Sequence, residues 1–311
     1  MLWRQTAFAA LVVLVSILWP RGQGGVEHRG PLQVAVVRDG FAVLAGHRIH
    51  AVDAGGELGG SVAIGELADV RVVGLGTGTS VVWRTGVKLQ VARVEADGRL
   101  GPREQFGQRV ERVCEGTATN EHRFGVAWLE SDGTLRFVHG PIAQELSVAS
   151  ARGRTYCAIA SAGRQIALVW RDGGRVELNL CGKHCKSRVA RVAIDNRPIL
   201  GVACTDDACA FAQRSATGVD VTWVKHSGKQ VWQKPLPDAT PDSAVALVGA
   251  GDRIAIAYET GGEPAVRAAD RSGNLSAIWQ GRADGLPALA WAHGKLLVAR
   301  TVDGELVTAI R

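Results

Sequence analysis

The chain has 311 residues, 46% of them hydrophobic and 39 of them glycine, which suits a folded, turn-rich protein and excludes a disordered one. Its 36 basic and 30 acidic residues leave a formal charge of +6, spread along the chain without a run of like charges, so a nucleic-acid-binding arm is excluded as well.

The first element is an apolar stretch from Thr6 to Trp19, with Arg4 before it and Pro20 and small residues after it, in MLWRQTAFAALVVLVSILWPRGQGG. A basic start, an apolar middle and a small-residue exit make the layout of an export signal, and the stretch falls short of the about 20 residues that a membrane span needs. Residues 1–24 are assigned to a signal peptide or, if uncleaved, an N-terminal membrane anchor, and residues 25–311 to a single domain. The expected location is periplasmic or extracellular, with contact to a membrane only through the uncleaved segment. Six cysteines, all beyond residue 113, agree with an oxidising destination.

Beyond this segment apolar residues alternate with period two and no long helical periodicity follows, so the fold class is all-β. Similar strands end at Gly46, Trp83, Trp128, Trp170, Gln213, Tyr258 and Arg300, spaced by 37 to 45 residues. A second strand and a tight turn precede each anchor, as in PLQVAVVRDGFAVLAG, RTYCAIASAGRQIALVW, DSAVALVGAGDRIAIAY and DGLPALAWAHGKLLVAR. The Gly and Asp of these turns tolerate positive φ, which tight hairpins require. A third strand follows each anchor, as in RDGGRVELNL and TVDGELVTAI, and a weaker fourth in most units, as in SVAIGEL, AQELSVAS and LSAIWQ.

Four antiparallel strands in each unit of about 40 residues is the spacing of β-propeller blades. A single four-stranded sheet cannot cover both of its faces, so seven units predict a closed seven-bladed ring. The last unit stops at Arg311 after its third strand, and VEHRG at 26–30 precedes the first unit, so the amino-terminal segment is expected to supply the outer strand of the last blade.

The cysteines can be placed on this frame. Cys204 and Cys209 flank the turn between the first two strands of unit five, and Cys181 and Cys185 flank the end of the third strand of unit four, so each pair can bridge its turn. Cys114 and Cys157 lie on the innermost strands of units three and four, fourteen and thirteen residues before their anchors. Their opposite parity points them to opposite faces of their strands, which a bridge between adjacent blades needs. No metal site is expected, since CGKHC lacks a second ligand pair.

HAVDAGGEL at 50–58 and KHSGKQVWQKPL at 225–236, with a turn Gly and a following Trp, resemble pyrroloquinoline-quinone-type repeats of bacterial exported β-propellers. The resemblance implies a packing pattern shared by scaffold proteins and quinone dehydrogenases. It carries no catalytic set, because the metal and quinone ligands of the dehydrogenases have no matched positions here; no cofactor is expected.

Propellers bind ligands where loops of several blades converge at the channel mouth. Sixteen residues before the anchors lie Arg112, Arg154 and Arg197 in three consecutive units and Asp242 and Asp284 in the last two, a basic arc facing an acidic one. A second ring directly after the anchors includes Arg84, Arg171, Arg214 and Glu259 on the same side of the disk. An Arg fork suits carboxylate, phosphate or sulfate. The first functional expectation is therefore a monomeric, non-enzymatic exported propeller, a binding or scaffold module for a protein or an anionic glycan. The alternative is a carbohydrate-active or quinone-type enzyme using Asp242 or Asp284 as acid or base.

Overall fold

A computed structural model describes residues 32–311, apart from 66, 76–77, 96–98, 117, 121–122, 140–143, 151–155, 164 and 182–184. Every regular element among the described residues is a strand. The signal or anchor assigned to 1–24 and the closing strand expected from 26–30 lie outside the described residues. So does Arg154. No helix among the described residues is long and apolar enough to cross a membrane.

The strands form seven antiparallel sheets that follow one another along the chain, spanning residues 33–63, 68–106, 110–150, 157–192, 199–235, 245–280 and 288–310. These are the blades of a seven-bladed β-propeller, numbered here in chain order. Within each, strands pair with their sequence neighbours, the first lying innermost. The seventh blade has three described strands, Ala288–Ala292, Lys295–Val302 and Glu305–Ile310. In blade three the inner strand is split into Val110–Val113 and Ala118–Asn120, both paired with Arg123–Glu130.

Turn chemistry sets the hairpins. The two-residue connections His293–Gly294 and Asp303–Gly304 have positive φ at both positions, the mirror-image turn whose twist matches that of the flanking strands. The turn after the third strand in the repeat-like segments is built on aspartate in blade one, where Asp53 Oδ1 accepts from the Gly55 and Glu57 amides. Asp270 does the same for Ser272 and Asn274 in blade six.

Seven apolar clusters fill the seven seams between blades. Along the strand Gly78–Thr85, Val81 and Trp83 face blade one while Val82 faces blade three, so alternation serves both neighbours. Leu297 and Ala299 of blade seven pack with Phe41, Val43 and Val52 of blade one, which closes the ring between the two ends of the described chain. Each Val or Leu so removed from water contributes roughly 2 kcal/mol. The anchors now have a common physical role: Trp83, Trp128, Trp170 and Tyr258 all point into the seam with the preceding blade. Arg300 keeps that direction, its guanidinium 4.7 Å from the Trp279 ring of blade six. Gly46 departs from the pattern; it sits in the turn after the strand Gly40–Ala45 at positive φ.

Cys114 and Cys157 form a disulfide between blades three and four, and Cys204 and Cys209 one across the turn of blade five. The parity argument holds in detail. The Cys114 amide donates to Ala127, whose side chain faces blade four, and Cys157 stands opposite Trp170, which faces blade three. Cys181 is also disulfide-bonded, and Cys185, its register partner in the ladder, has a side chain outside the described set.

Candidate functional site

The inner strands surround a central channel of about 1460 Å³. Most of its wall is apolar or small, including Val34, Ile159, Leu247, Leu289 and Trp291. Charge enters its wall as Arg71 and Glu115 from blades two and three, and at hairpin turns as Arg38 of blade one and Asp206 of blade five.

Glu115 owes its position to the break in the inner strand of blade three. After Cys114 the chain steps across the seam and pairs in parallel with blade four, the Glu115 amide donating to Cys157 O at 3.0 Å and the Ile159 amide to Glu115 O at 2.8 Å. The adjoining Cys114–Cys157 bond locks the step, so Glu115 and Tyr156, one residue outside each cysteine, are held together. The Tyr156 hydroxyl is buried and faces the Glu115 carboxyl without closing a hydrogen bond of ordinary geometry. Glu115 itself is reached by water through the channel, although protein surrounds it on most sides. That enclosure raises its carboxyl pKa above the ordinary range, while Tyr156, Arg112 and Arg71 pull the other way. Burial likewise pushes the Tyr156 hydroxyl well up, with the Glu115 charge adding to it.

Arg71 is half-buried, and its pKa is lowered by burial against the pull of Asp69 and Glu115. Its Nη1 donates to Val70 O at 2.9 Å. Gln33 of blade one braces the same segment, donating to Val70 O at 2.8 Å and accepting from the Val72 amide at 3.2 Å. Arg71 and Glu115 feel each other's charge, yet they do not close an ion pair.

Of the residues expected at the mouth, Arg112, Arg197, Asp242 and Asp284 are not part of the channel wall. Arg112 lies in the strand Val110–Val113, opposite Leu129, exposed and close enough to act on both Glu115 and Tyr156. Arg197 reaches Asp195 at 2.7 Å and Asp220 at 2.5 Å. The Asp284 amide donates to Thr301 O at 2.7 Å and its carboxylate accepts from Gly304 N at 2.7 Å, which fixes the turn. Asp242 is exposed beside the buried Ser243, whose hydroxyl donates to Glu259 O at 2.9 Å.

Arg84 pairs with Asp69 at 2.5 Å, Arg171 donates to Asn196 O at 2.8 Å and to Arg197 O at 2.5 Å, and the Arg214 amide donates to Pro198 O at 2.9 Å. Arg171 therefore meets backbone carbonyls and an amide rather than a carboxylate. Blade five shows why its anchor is Gln213: the buried amide donates to Asp195 O and Oδ1, tying the loop that carries Arg197.

Replacing Arg197 with alanine is expected to cost at most about 1 kcal/mol, because the pairs are partly solvated. Burial tends to raise the Asp195 carboxyl, but hydrogen bonds from the Arg197 side chain and amide outweigh it and hold the group below its ordinary range. Its stabilisation is complete above the unfolded value of about 3.9 and disappears as pH falls through the lower folded value. Urea unfolding should therefore separate wild type from Arg197→Ala at neutral pH and bring them together in acid; a constant gap would contradict the pairing.

Among solved structures, a streptogramin B lyase superposes with a TM-score of 0.62 at 11% identity, covering 93% of this chain and 95% of that one. Virginiamycin B lyase from Staphylococcus aureus gives 0.58 at 14%, covering 90% and 94%. The WD40 domain of Neurospora crassa Pan2 gives 0.57 at 10%, covering 94% and 92%. The likeness is one of fold. No protein-family model matches the chain, and no curated protein is similar to it in sequence. Lyases and WD40 propellers share these blades, so function has to be argued from the channel and rim.

Arg71 and Glu115 were not among the expected site residues, although a signal for Arg71 exists. Twelve residues before the anchors the other units carry Val34, Gly116, Ala158, Gly201, Ala246 and Ala288, so a charged residue at that position stands out.

Proposed function

We propose that this chain is an exported, non-enzymatic β-propeller that binds an anionic glycan at the rim where the inner strands begin. One observation carries the reading: Arg71, Arg112 and Arg171, from blades two, three and four, all act on the Glu115–Tyr156 pair at that end of the channel. Arg71 and Arg112 around the Glu115 carboxyl, with Arg171 beside Tyr156, leave a positive surplus at the channel mouth, which suits carboxylate or sulfate groups. Arg154, two residues before Tyr156, would extend the arc, and Asp242 and Asp284 would orient the partner from the opposite side. The two disulfides and the apolar amino-terminal segment support an oxidising, exported setting. The repeat-like turns in blades one and five support a scaffold of the quinone-repeat packing type acting as a monomer.

The test is binding of acidic oligosaccharides by calorimetry across rising salt. Affinity should fall as ionic strength increases, since rim charges are screened over about 10 Å at 0.1 M salt. Arg112→Ala should weaken binding roughly five- to tenfold without changing the fold. No binding of any acidic glycan, or binding indifferent to both salt and Arg112, would overturn the reading; saturable binding of a protein ligand in its place would move the rim to protein recognition.

A second reading rests on the lyase neighbours and on a carboxyl with a raised pKa inside a channel. It is a carbohydrate-active enzyme with Glu115 in the acid–base role expected of Asp242 or Asp284. Turnover of the bound oligosaccharide that Glu115→Gln abolishes would favour it over a binding module.

A further inference from the structure

Arg71 and Glu115 present an energetic problem that the fold does not resolve. Both project into the channel from adjacent blades, both are enclosed enough for burial to work against their charged forms, and a direct ion pair between them would relieve both groups. They do not make one. Each is held in place by backbone that the side chain does not control: Glu115 by the parallel pairing with blade four beside the Cys114–Cys157 bond, Arg71 by a segment clamped through Gln33. The Tyr156 hydroxyl behind Glu115 is buried with no well-formed partner of its own. A donor and an acceptor left unpaired in one channel is the arrangement of a site completed by its ligand.

We infer that the channel holds the carboxylated end of an acidic oligosaccharide, with the sugar carboxylate on Arg71 and neighbouring ring hydroxyls donating to Glu115. This rests on the proposed glycan binding at the rim and names what the channel recognises: an acidic group of a sugar together with its free ring hydroxyls. The chemistry is specific on both sides. A guanidinium presents a planar fork that matches a carboxylate, and an ionised carboxyl is an acceptor that takes the paired hydroxyl donors of a sugar ring. A free anion such as inorganic sulfate would engage Arg71 and bring Glu115 no donor. A neutral sugar would satisfy Glu115 and leave Arg71 unmatched. The remaining wall, with Val34, Ile159, Leu247, Leu289 and Trp291, offers apolar surface to the C–H faces of sugar rings. A volume of about 1460 Å³ exceeds the roughly 300–1,000 Å³ that encloses a drug-sized molecule, as the end of an oligosaccharide requires.

The experiment is calorimetry with the whole mature protein and three probes: a uronate-containing tetrasaccharide, its carboxyl-reduced neutral counterpart, and inorganic sulfate. The uronate should bind at least roughly tenfold more tightly than either of the others. Arg71→Gln and Glu115→Gln should each weaken uronate binding by roughly ten- to a hundredfold while thermal unfolding shows the ring intact, and Arg71→Lys should restore part of the loss. Uronate binding that is unchanged in both channel variants but lost in Arg112→Ala would overturn this inference and leave the rim reading standing. Equal affinity for inorganic sulfate and the uronate probe would overturn it too. No binding of any acidic probe would remove the rim reading and this one together.

Discussion

Replacing Cys114 and Cys157 together with alanine is expected to lower stability by about 4 kcal/mol, the entropy of closing a loop whose ends are 43 residues apart. The same replacement at Cys204 and Cys209, 5 residues apart, should cost about 2 kcal/mol, because the turn already holds those strands together. For a protein of this size the first change corresponds to a fall in melting temperature on the order of 8 °C. The difference between the two bonds has a structural cause beyond loop length. The long bridge joins two blades, where the inner strand of blade three is interrupted and contributes only Val110–Val113 and Ala118–Asn120 to its own sheet. The step at Glu115 replaces ladder pairing within blade three by pairing with blade four, and the covalent bond sits beside it. Thermal unfolding of both double variants, with and without reductant, checks this: wild type in reductant should fall toward the Cys114/Cys157 variant. Equal shifts for the two bridges, or none for the first, would show that the blade three–four seam holds without its covalent link.

The repeat was legible because the forces that build a blade are local. Hairpin turns such as Asp303–Gly304 need residues that accept positive φ, and strands covered on two faces need apolar side chains at nearly every position, as in Gly40–Ala45, buried throughout. Spacing of the anchors followed from seam packing, where Trp83, Trp128, Trp170 and Tyr258 repeat one contact. Even the Cys114–Cys157 bond could be read from side-chain alternation on two neighbouring inner strands.

The channel was less legible, and the reason is register. Counting back from anchors assumes that every inner strand runs unbroken, and blade three violates the assumption at residues 114–116, which brings Glu115 inward by pairing it across the seam. Neighbours in sequence gave no hint that Glu115 and Tyr156 would meet, since they stand 41 positions apart in the chain. The partners of the expected rim residues come from loops that no repeat specifies. Arg197 meets Asp195 and Asp220, and Asp284 meets the Gly304 amide. Charges that look available in a sequence are engaged once the loops fold, whereas Arg71, which reads as an interruption of an apolar strand, faces the channel.

Gly74→Ala and Gly249→Ala are expected to destabilise the ring by about 3 kcal/mol or more, at the upper end of what overpacking costs. Neither glycine is at positive φ, so backbone conformation does not demand it; the demand comes from the next blade. A Cβ on Gly74 would lie 1.6 Å from the carbonyl oxygen of Val36 in blade one, and a Cβ on Gly249 would lie 2.0 Å from that of Cys204 in blade five. A flexible side chain could rotate away from such a contact, but a strand carbonyl in a paired sheet can move only with its blade. Relief at one seam must then be taken up by the other seams, because the ring is closed through Phe41, Val43, Leu297 and Ala299. Gly59 is the control: it lies in the outer strand Leu58–Ala63, its nearest neighbours would be 3.5 Å from a new Cβ, and alanine there should change stability by no more than about 0.5 kcal/mol. Chemical denaturation of the three variants measures the contrast. If Gly74→Ala unfolds with the midpoint of Gly59→Ala, the inner strands do not approach as closely as the ring requires, and the channel that places Arg71 beside Glu115 is wider than drawn here.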